Sequence, residues 1–297
     1  MAAPSAVQSR TRPRARWRPE PGRGAGALLV APLAVLLGLV FVVPIARVFW
    51  VALSDPSFGL QRFQSFFADE ASVRALLTTL RVSAIVTVLA LAIGAVVAWE
   101  LRSTRSRWKR LLLWSAVLFP VWTSIVVRNY AFTILLQRKG VVNDALTGVG
   151  LIDAPLGILY TDAAVTIGML YTMLPFAILP LYSSFVGVDE DLVRAAQSLG
   201  ASRARALLHV VLPLTLPSIL AAGAIVFVVS VGFYVTPIML GGPDAPFVAT
   251  LVNRQIFNLY DFPGGAATGS ILFATAIFIV ALAWRAVGIE RMKRAVA

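Results

Sequence analysis

The side chains that most often do chemistry in proteins are scarce in this sequence. It contains no Cys and a single His, His209, so neither a thiolate site nor a histidine cluster for a metal can form. None of the three lysines belongs to a Gly-x4-Gly-Lys-Ser/Thr phosphate loop. They lie in Trp108-Lys109-Arg110, Arg138-Lys139-Gly140 and Met292-Lys293-Arg294. The residues therefore predict no catalytic group, no metal and no nucleotide-phosphate loop.

Carboxylates are also missing from the long apolar runs. Glu100 ends one run, and the remaining acids near the runs fall at their edges or between them: Asp55, Asp69, Glu70, Asp144, Asp153, Asp162, Asp244 and Asp261. Carriers driven by protons or ions need buried ionisable groups, because such groups bind and release the coupling ion. Any energy for transport is thus expected to come from another polypeptide.

The elements that must position these residues are membrane-spanning helices. The chain is 59% hydrophobic and 13% charged, with a mean hydropathy of +0.83. A helix needs about 20 mostly apolar residues to cross a bilayer. Six uncharged runs reach that length, some with a neighbouring turn added: Gly24–Ala46, Val82–Trp99, Leu111–Val127, Ala163–Val188, Val210–Pro243 and Phe262–Trp284. Proline and glycine punctuation places the fifth span near Leu216–Leu240. We predict an all-α integral membrane protein with six transmembrane helices.

The distribution of Lys and Arg predicts the orientation. With the N-terminus inside, 18 of the 26 basic residues fall in cytoplasmic segments and five in outer loops. The other three, Arg47, Arg81 and Arg128, lie near the outer ends of spans, where we expect their side chains to reach the headgroups. The positive-inside rule then places both termini in the cytoplasm. Membrane topology also explains the net charge of +12 without nucleic acid as a partner.

Three regions follow from this pattern. Residues 1–26, with six Arg, are predicted to be a basic disordered cytoplasmic tail. Residues 27–290 form the transmembrane domain, and 291–297 form a second cytoplasmic tail. Membrane lipid is therefore an expected partner of the chain.

The segment 189–213 lies between two spans and reads as two short amphipathic helices. Acids at its start suit a helix N-terminus, and an apolar stripe follows at helical spacing: Leu192, Ala195, Ala196 and Leu199. Gly200 is expected to adopt the left-handed conformation that ends this helix, and Ser202 to cap the next. The second helix has its own apolar stripe: Ala204, Leu207, Leu208 and Val211. Such a hairpin predicts either a docking element for a cytoplasmic partner or a surface helix in the headgroups.

Polar and aromatic residues in or near the spans are the candidates for lining a path: Trp122, Asn129, Tyr130, Tyr171 and Tyr234. An aromatic face can hold an ammonium group by cation–π attraction. The same residue types also form interface belts and packing contacts. Both interpretations remain open from the sequence.

At the hairpin the sequence resembles the permease subunits of ATP-binding-cassette importers. The loop of that family reads Glu-Ala-Ala, three residues, Gly, nine residues, then Ile-x-Leu-Pro. Five residues here match at that spacing: Ala195, Ala196, Gly200, Leu212 and Pro213. Val210 replaces the Ile, and Arg194 stands where the Glu is expected. Asp191, three residues earlier, is a candidate to supply the missing negative charge.

Five further motifs, in order, resemble the spermidine/putrescine-type permeases, and more narrowly the first of their two permease subunits. They are Pro120-Val121-Trp122-Thr123-Ser124, Val127-Arg128-Asn129-Tyr130-Ala131, Gly150-Leu151-Ile152-Asp153-Ala154-Pro155-Leu156, Leu174-Pro175-Phe176 with Leu181-Tyr182, and Val235-Thr236-Pro237 before Gly241-Gly242-Pro243. Relatives with this pattern import polyamines, opines, amino-acid-like amines and other small solutes. The resemblance extends over nearly all of residues 27–290.

The resemblance implies a type I importer fold and a set of partners. A second permease subunit, identical or different, would complete the path, and two cytoplasmic ATPase subunits would bind and hydrolyse ATP. A periplasmic solute-binding protein would deliver the solute, and this chain would itself bind no cofactor and act as no enzyme. The residues expected to couple to the ATPase are Asp191, Arg194, Ala195, Ala196, Leu199, Gly200, Ser202, Arg205, Leu212 and Pro213. A secondary transporter or channel and a membrane scaffold are the rival hypotheses.

Overall fold

Helices account for every regular element in the part of the chain that the computed structural model describes, residues 31–55, 57–242 and 246–296, with only the backbone helix described beyond 285. The predicted basic tail, 1–26, lies outside these ranges. The chain forms two compact units that divide after Arg47, and the site described below lies in the second. The helices are α1 (Ala31–Ser54), α2 (Gln61–Ala68), α3 (Glu70–Ser103), α4 (Arg107–Trp122), α5 (Ile125–Leu136), α6 (Val141–Gly148), α7 (Asp162–Val186), α8 (Glu190–Ser198), α9 (Arg203–Leu214), α10 (Leu216–Val231), α11 (Val235–Leu240), α12 (Val248–Asn253) and α13 (Phe262–Val296).

Four of the described helices are long and apolar enough to cross a membrane alone: α1, α3, α7 and the Phe262–Arg285 part of α13. Two further spans are present if each of two bent helix pairs counts as one. In the first pair α4 meets the segment Ile125–Gly148 at 107°, and in the second α9 meets α10 at 80°. The predicted break between the hairpin and the fifth span is therefore confirmed, at Thr215.

Two spans that were predicted to be continuous are broken. The third is interrupted at Thr123, which has extended backbone (φ −88°, ψ 132°), just after Pro120 removes a backbone donor from the last turn of α4. The fifth ends at Val231 and restarts as α11. Pro237 cannot donate a helical hydrogen bond to Phe233, so a new helix has to begin within one turn before it.

The core of the bundle is the contact of α3 and α7, with α10 packed against both. Its centre consists of fully buried aliphatic side chains such as Val86, Met169 and Val226. Gly94 of α3 brings the two central helices close, since a Cβ there would lie 3.3 Å from the side chains of Ala177 and Leu181. Small residues permit such approach in membrane helices, where van der Waals packing drives association.

Ion pairs tie the ends of the elements together. Arg81 of α3 pairs with Asp162 at the start of α7, so its predicted reach toward lipid headgroups is instead a contact between the two central helices. Arg62 of α2 binds Asp55 at 2.6 Å and Asp261 at 3.1 Å. The hydrogen bond that Arg62 donates to Asp55, helped by the charge of Asp261, raises the pKa of Arg62 above its ordinary value. These pairs fix the end of the bundle opposite the α8–α9 hairpin.

Candidate functional site

The hairpin of α8 and α9 has the local geometry that its residues predict. The Asp189 carboxylate accepts from the backbone N–H of Asp191 at 2.9 Å, which caps α8. Gly200 has φ +88°, the left-handed conformation that a side chain would disfavour. The Ser202 hydroxyl accepts from the N–H of Arg205 at 3.3 Å and caps α9. Both the glycine turn and the serine cap are confirmed as structural predictions.

Most of the apolar stripe of α8 does not face the membrane helices. Leu192 is 49% exposed and Leu199 is 90% exposed, and no residue of the helix is fully buried. Val193 and Ala196 are half-buried, and Val193, which is outside the predicted stripe, packs against the bundle. Since α8 touches the bundle along one side only, Leu192, Ala195 and Leu199 of the predicted stripe remain an accessible apolar surface.

The second helix, α9, is anchored in the bundle. Ala206, Leu207 and Val211 are buried, whereas the predicted stripe residues Ala204 and Leu208 are exposed. The difference arises because Leu207–Val211 forms a π turn, in which hydrogen bonds join residues five apart and rotate the buried face. The buried side chains join a cluster with Ala98, Leu181, Phe185 and Ala222, from α3, α7 and α10.

Arg194, at the position where the importer family carries Glu, is paired within its own helix. Its guanidinium lies 2.5 Å from the Glu190 carboxylate and 3.4 Å from that of Asp191. The three side chains are exposed to solvent: 67% for Arg194, 73% for Glu190 and 82% for Asp191. The charge of Asp191 is therefore directed at Arg194, and the surface of α8 carries two acids and one base in one turn.

The remaining predicted residues of the hairpin lie along α9. Arg205 is exposed, and its backbone carbonyl lies 3.1 Å from Nδ1 of His209. Leu212 is half-buried against the anchoring cluster, and Pro213 is exposed just before the bend at Thr215. The hydroxyl of Thr215 donates to the carbonyl of Val211 at 2.8 Å, which supplies a partner at the point where the helix breaks.

The predicted path residues do not form one cluster facing the same way. Trp122 is 86% exposed and Tyr130 is 62% exposed, whereas Tyr234 is half-buried. Asn129 is fully buried; its Nδ2 donates to the carbonyl of Ile125, and its Oδ1 accepts from the hydroxyl of Thr236 at 3.0 Å. The amide of Asn129 thus joins α5 to α11, a packing role.

The burial of Arg128 was not predicted from the sequence. It was expected to extend to the headgroups, but it is 9% exposed. Nη1 donates to the hydroxyl of Thr172 at 2.8 Å and Nη2 to the carbonyl of Thr123 at 3.0 Å. The latter carbonyl is freed by the break after α4, which was not predicted although Pro120 lies within the run Leu111–Val127. A guanidinium one turn after the break can supply the donor the break requires.

The Arg128 guanidinium also lies 5.7 Å from the ring centroid of Tyr171. The ring of Phe132 also contacts Tyr171, with the two centroids 5.5 Å apart in an edge-to-face arrangement. The cation–π position on Tyr171 is therefore already taken by a side chain of the protein. None of the ion pairs in the described part of the chain involves Arg128.

These features define an all-helical protein with four to six candidate membrane spans and an exposed two-helix hairpin between two of them. The model of the family of binding-protein-dependent transport system inner membrane components matches residues 90–293. The chain belongs to this family, and it is an inner membrane permease component of a binding-protein-dependent ABC importer.

Three comparisons specify the similarity. The spermidine/putrescine transport system permease protein PotB of Escherichia coli (strain K12) is 34% identical over 73% of this chain and 79% of its own length. The PotB protein of Haemophilus influenzae is 35% identical over 68% of this chain and 71% of its own length. In fold, the chain resembles a bacterial ABC transporter involved in import of the acidic polysaccharide alginate, with a TM-score of 0.71 and 22% identity over 91% of this chain and 96% of that one. The resemblance to a type I importer permease is confirmed.

Proposed function

We propose that this chain forms one half of the translocation path of an ATP-driven importer, with six spans and both termini in the cytoplasm. A second permease subunit completes the path, and a periplasmic binding protein delivers the solute to its outer end. ATP is bound and hydrolysed by a pair of cytoplasmic ATPase subunits, while this chain binds no cofactor. The coupling residues are those of the α8–α9 hairpin.

The contrast in exposure along the hairpin carries this proposal. Leu192 and Leu199 present apolar surface away from the bundle, while Leu207 and Val211 are locked into it. An exposed leucine on a short helix is costly in water, and covering it on a partner stabilises the complex. Motion of a partner that holds α8 would be transmitted through α9 to α3, α7 and α10.

Co-purification tests the docking role. A tagged wild-type chain, expressed with the proposed ATPase partner and extracted in mild detergent, should retain that ATPase. Leu199→Asp should reduce the retained ATPase at least tenfold at unchanged membrane level of the chain, because it places a charge in the apolar contact. Leu156→Asp, at a leucine that is 44% exposed on an outer segment, is the matched control and should leave the ATPase bound. Uptake by a chain that captures no ATPase would favour the secondary transporter hypothesis. Capture of the ATPase by a chain that supports no uptake would favour the membrane scaffold hypothesis.

For the solute we propose a polyamine of the spermidine or putrescine type. The support is the similarity to the two PotB proteins, which covers more than two-thirds of this chain. The path itself offers no buried carboxylate among the described spans to hold a polycation tightly, so selectivity rests mainly with the binding protein. The aromatic residues remain proposed contacts, with Trp122 and Tyr130 accessible and Tyr171 covered by Arg128.

Arg128 supports a second candidate, a solute that carries a carboxylate beside its amine, as an opine or an amino-acid-like amine does. A buried guanidinium repels a polycation and attracts a carboxylate in a low-dielectric path. Ligand affinities measured on the periplasmic solute-binding protein of this importer separate the two candidate solutes. Binding of putrescine or spermidine, with stimulation of the ATPase in the reconstituted complex, supports the first; binding only of carboxylate-bearing amines supports the second and overturns the first.

A further inference from the structure

A basic cavity of about 360 Å³ lies between the α3–α4 connection and the hairpin. Its walls include five arginines: Arg102, Arg105, Arg110, Arg194 and Arg203. Among its lining residues, all within the described part of the chain, Glu190 alone is acidic. The cavity therefore concentrates positive charge in one concave space, which favours an anion.

Two of the arginines are held in position by backbone carbonyls. Arg102 donates from Nη2 to the carbonyl of Val188 at 2.7 Å, and Arg110 donates from Nη2 to that of Thr104 at 2.8 Å. Nη1 of Arg102 is buried and has no hydrogen-bond partner in the described ranges. A guanidinium has five N–H donors, so each of these side chains keeps oriented donors for a further acceptor.

The other wall residues explain how an anion would be admitted. Arg105 and Arg203 are exposed and make no ion pair within the described part of the chain, so their charges are free to approach a ligand. Trp99 lines the same cavity, with the guanidinium of Arg102 5.5 Å from its ring centroid. An indole at the end of a membrane helix is typical of the headgroup level.

We infer that this cavity binds the phosphate group of an anionic phospholipid headgroup. The cavity lies where α3 ends and α4 begins, which is the cytoplasmic headgroup level in the proposed orientation, and basic pockets at that level suit anionic headgroups. Guanidinium groups match phosphate oxygens with paired N–H donors. Because Arg194 and Arg203 belong to the hairpin, a bound headgroup links α8 and α9 to the α3–α4 connection.

Native mass spectrometry of the full chain in an uncharged detergent tests the inference. The probes are phosphatidylglycerol, phosphatidylcholine and inorganic phosphate, added separately. Phosphatidylglycerol should bind on the order of tenfold more tightly than phosphatidylcholine. Arg105→Gln combined with Arg203→Gln should remove that preference without unfolding the chain, since both side chains are exposed and unpaired in the described structure. Glu190→Gln should tighten binding, because it removes the one carboxylate of the wall.

Arg107→Gln is the matched control. Arg107 is exposed at the first position of α4 and does not line the cavity, so its replacement should leave the lipid preference unchanged. If the double variant is poorly produced, the lipid preference is measured on Arg102→Gln, which should also lose it. Binding of inorganic phosphate alone, sensitive to the same substitutions, supports the phosphate site and identifies a free anion as its source.

An equal lipid preference in wild type and the double variant overturns the inference. So does a double variant that retains phosphatidylglycerol but loses the ATPase, since the arginines would then serve a protein interface. Lipid binding is measured without transport or ATP, so its outcome is separate from that of the proposed import function.

Discussion

The two helices of the hairpin are neighbours in sequence, yet the transmembrane bundle holds them very differently. In α9, Val211 is fully buried and Leu207 is 8% exposed; in α8, Leu192 is 49% exposed, and Leu199, the residue that caps its C-terminal end, is 90% exposed. Both helices carry leucines at helical spacing, so hydrophobic pattern alone does not separate them. The difference is set by which elements lie beside each helix, since α9 contributes buried side chains to the cluster with α3, α7 and α10, whereas α8 packs only the half-buried Val193 against it.

This contrast shows how an amphipathic pattern can serve two purposes. A buried stripe stabilises the fold of its own chain, whereas an exposed stripe of the same composition stabilises an assembly. A rigid connection between α8 and α9 then allows motion of one helix to move the other. The left-handed Gly200 and the Ser202 cap supply that connection.

The largest effect is expected from a charge in the anchored helix. Val211→Asp places an unpaired carboxylate at a position with no exposure, at a cost of about 3–5 kcal/mol, as when a buried charge loses its partner. The folded chain in membranes should fall at least tenfold, measured by immunoblotting after mild extraction. Leu199→Asp, with the same charge on α8, should leave the amount unchanged. Equal losses in the two variants would contradict the division between an anchored and an accessible helix.

A smaller effect is expected at the connection between them. At Gly200 a Cβ would meet no atom within 4 Å, so Gly200→Ala costs only the left-handed backbone, about 1–2 kcal/mol. Gly200→Pro, with φ locked near −65°, cannot adopt the turn at all and should abolish uptake while the chain stays in the membrane. Uptake and membrane level are measured together in each variant.

Gly148→Ala provides the comparison for the alanine variant. Gly148 also has open space at the Cβ position but no positive φ, so alanine there should leave uptake unchanged. Normal uptake in Gly200→Pro would show that the angle between α8 and α9 has no part in coupling.

The sequence predicts the class and most of the elements of this fold. Uncharged length identifies the helical runs, and the residue types at Gly200 and Ser202 identify the turn and the cap, because those depend only on local backbone chemistry. The breaks at Thr123 and after Val231 were not predicted. No charged residue marks either break, and Arg128, which donates to the carbonyl of Thr123 at the first break, lies beyond the uncharged run.

Side-chain orientation could be predicted less well, because it depends on neighbours distant in sequence. The π turn in α9 shifts the buried face from the α-helical stripe, which exposes Leu208 and buries Ala206. Arg81 is drawn to Asp162 and Arg128 to Thr172, and neither pairing can be read from spacing along the chain. Burial therefore had to come from the structure, even where the residues of the hairpin were identified correctly.

The smallest effect is expected from the ion pairs on α8, and it sharpens the comparison by isolating charge from apolar contact. Arg194→Ala removes pairs with Glu190 and Asp191 that lie in solvent, where each contributes about 0.3–0.5 kcal/mol or less. Thermal unfolding of the purified chain should be unchanged within error. Retention of the ATPase should change less than threefold, because Leu192 and Leu199 remain. A loss as large as that of Leu199→Asp would mean that α8 is recognised through its charges, and that Arg194 itself is the contact.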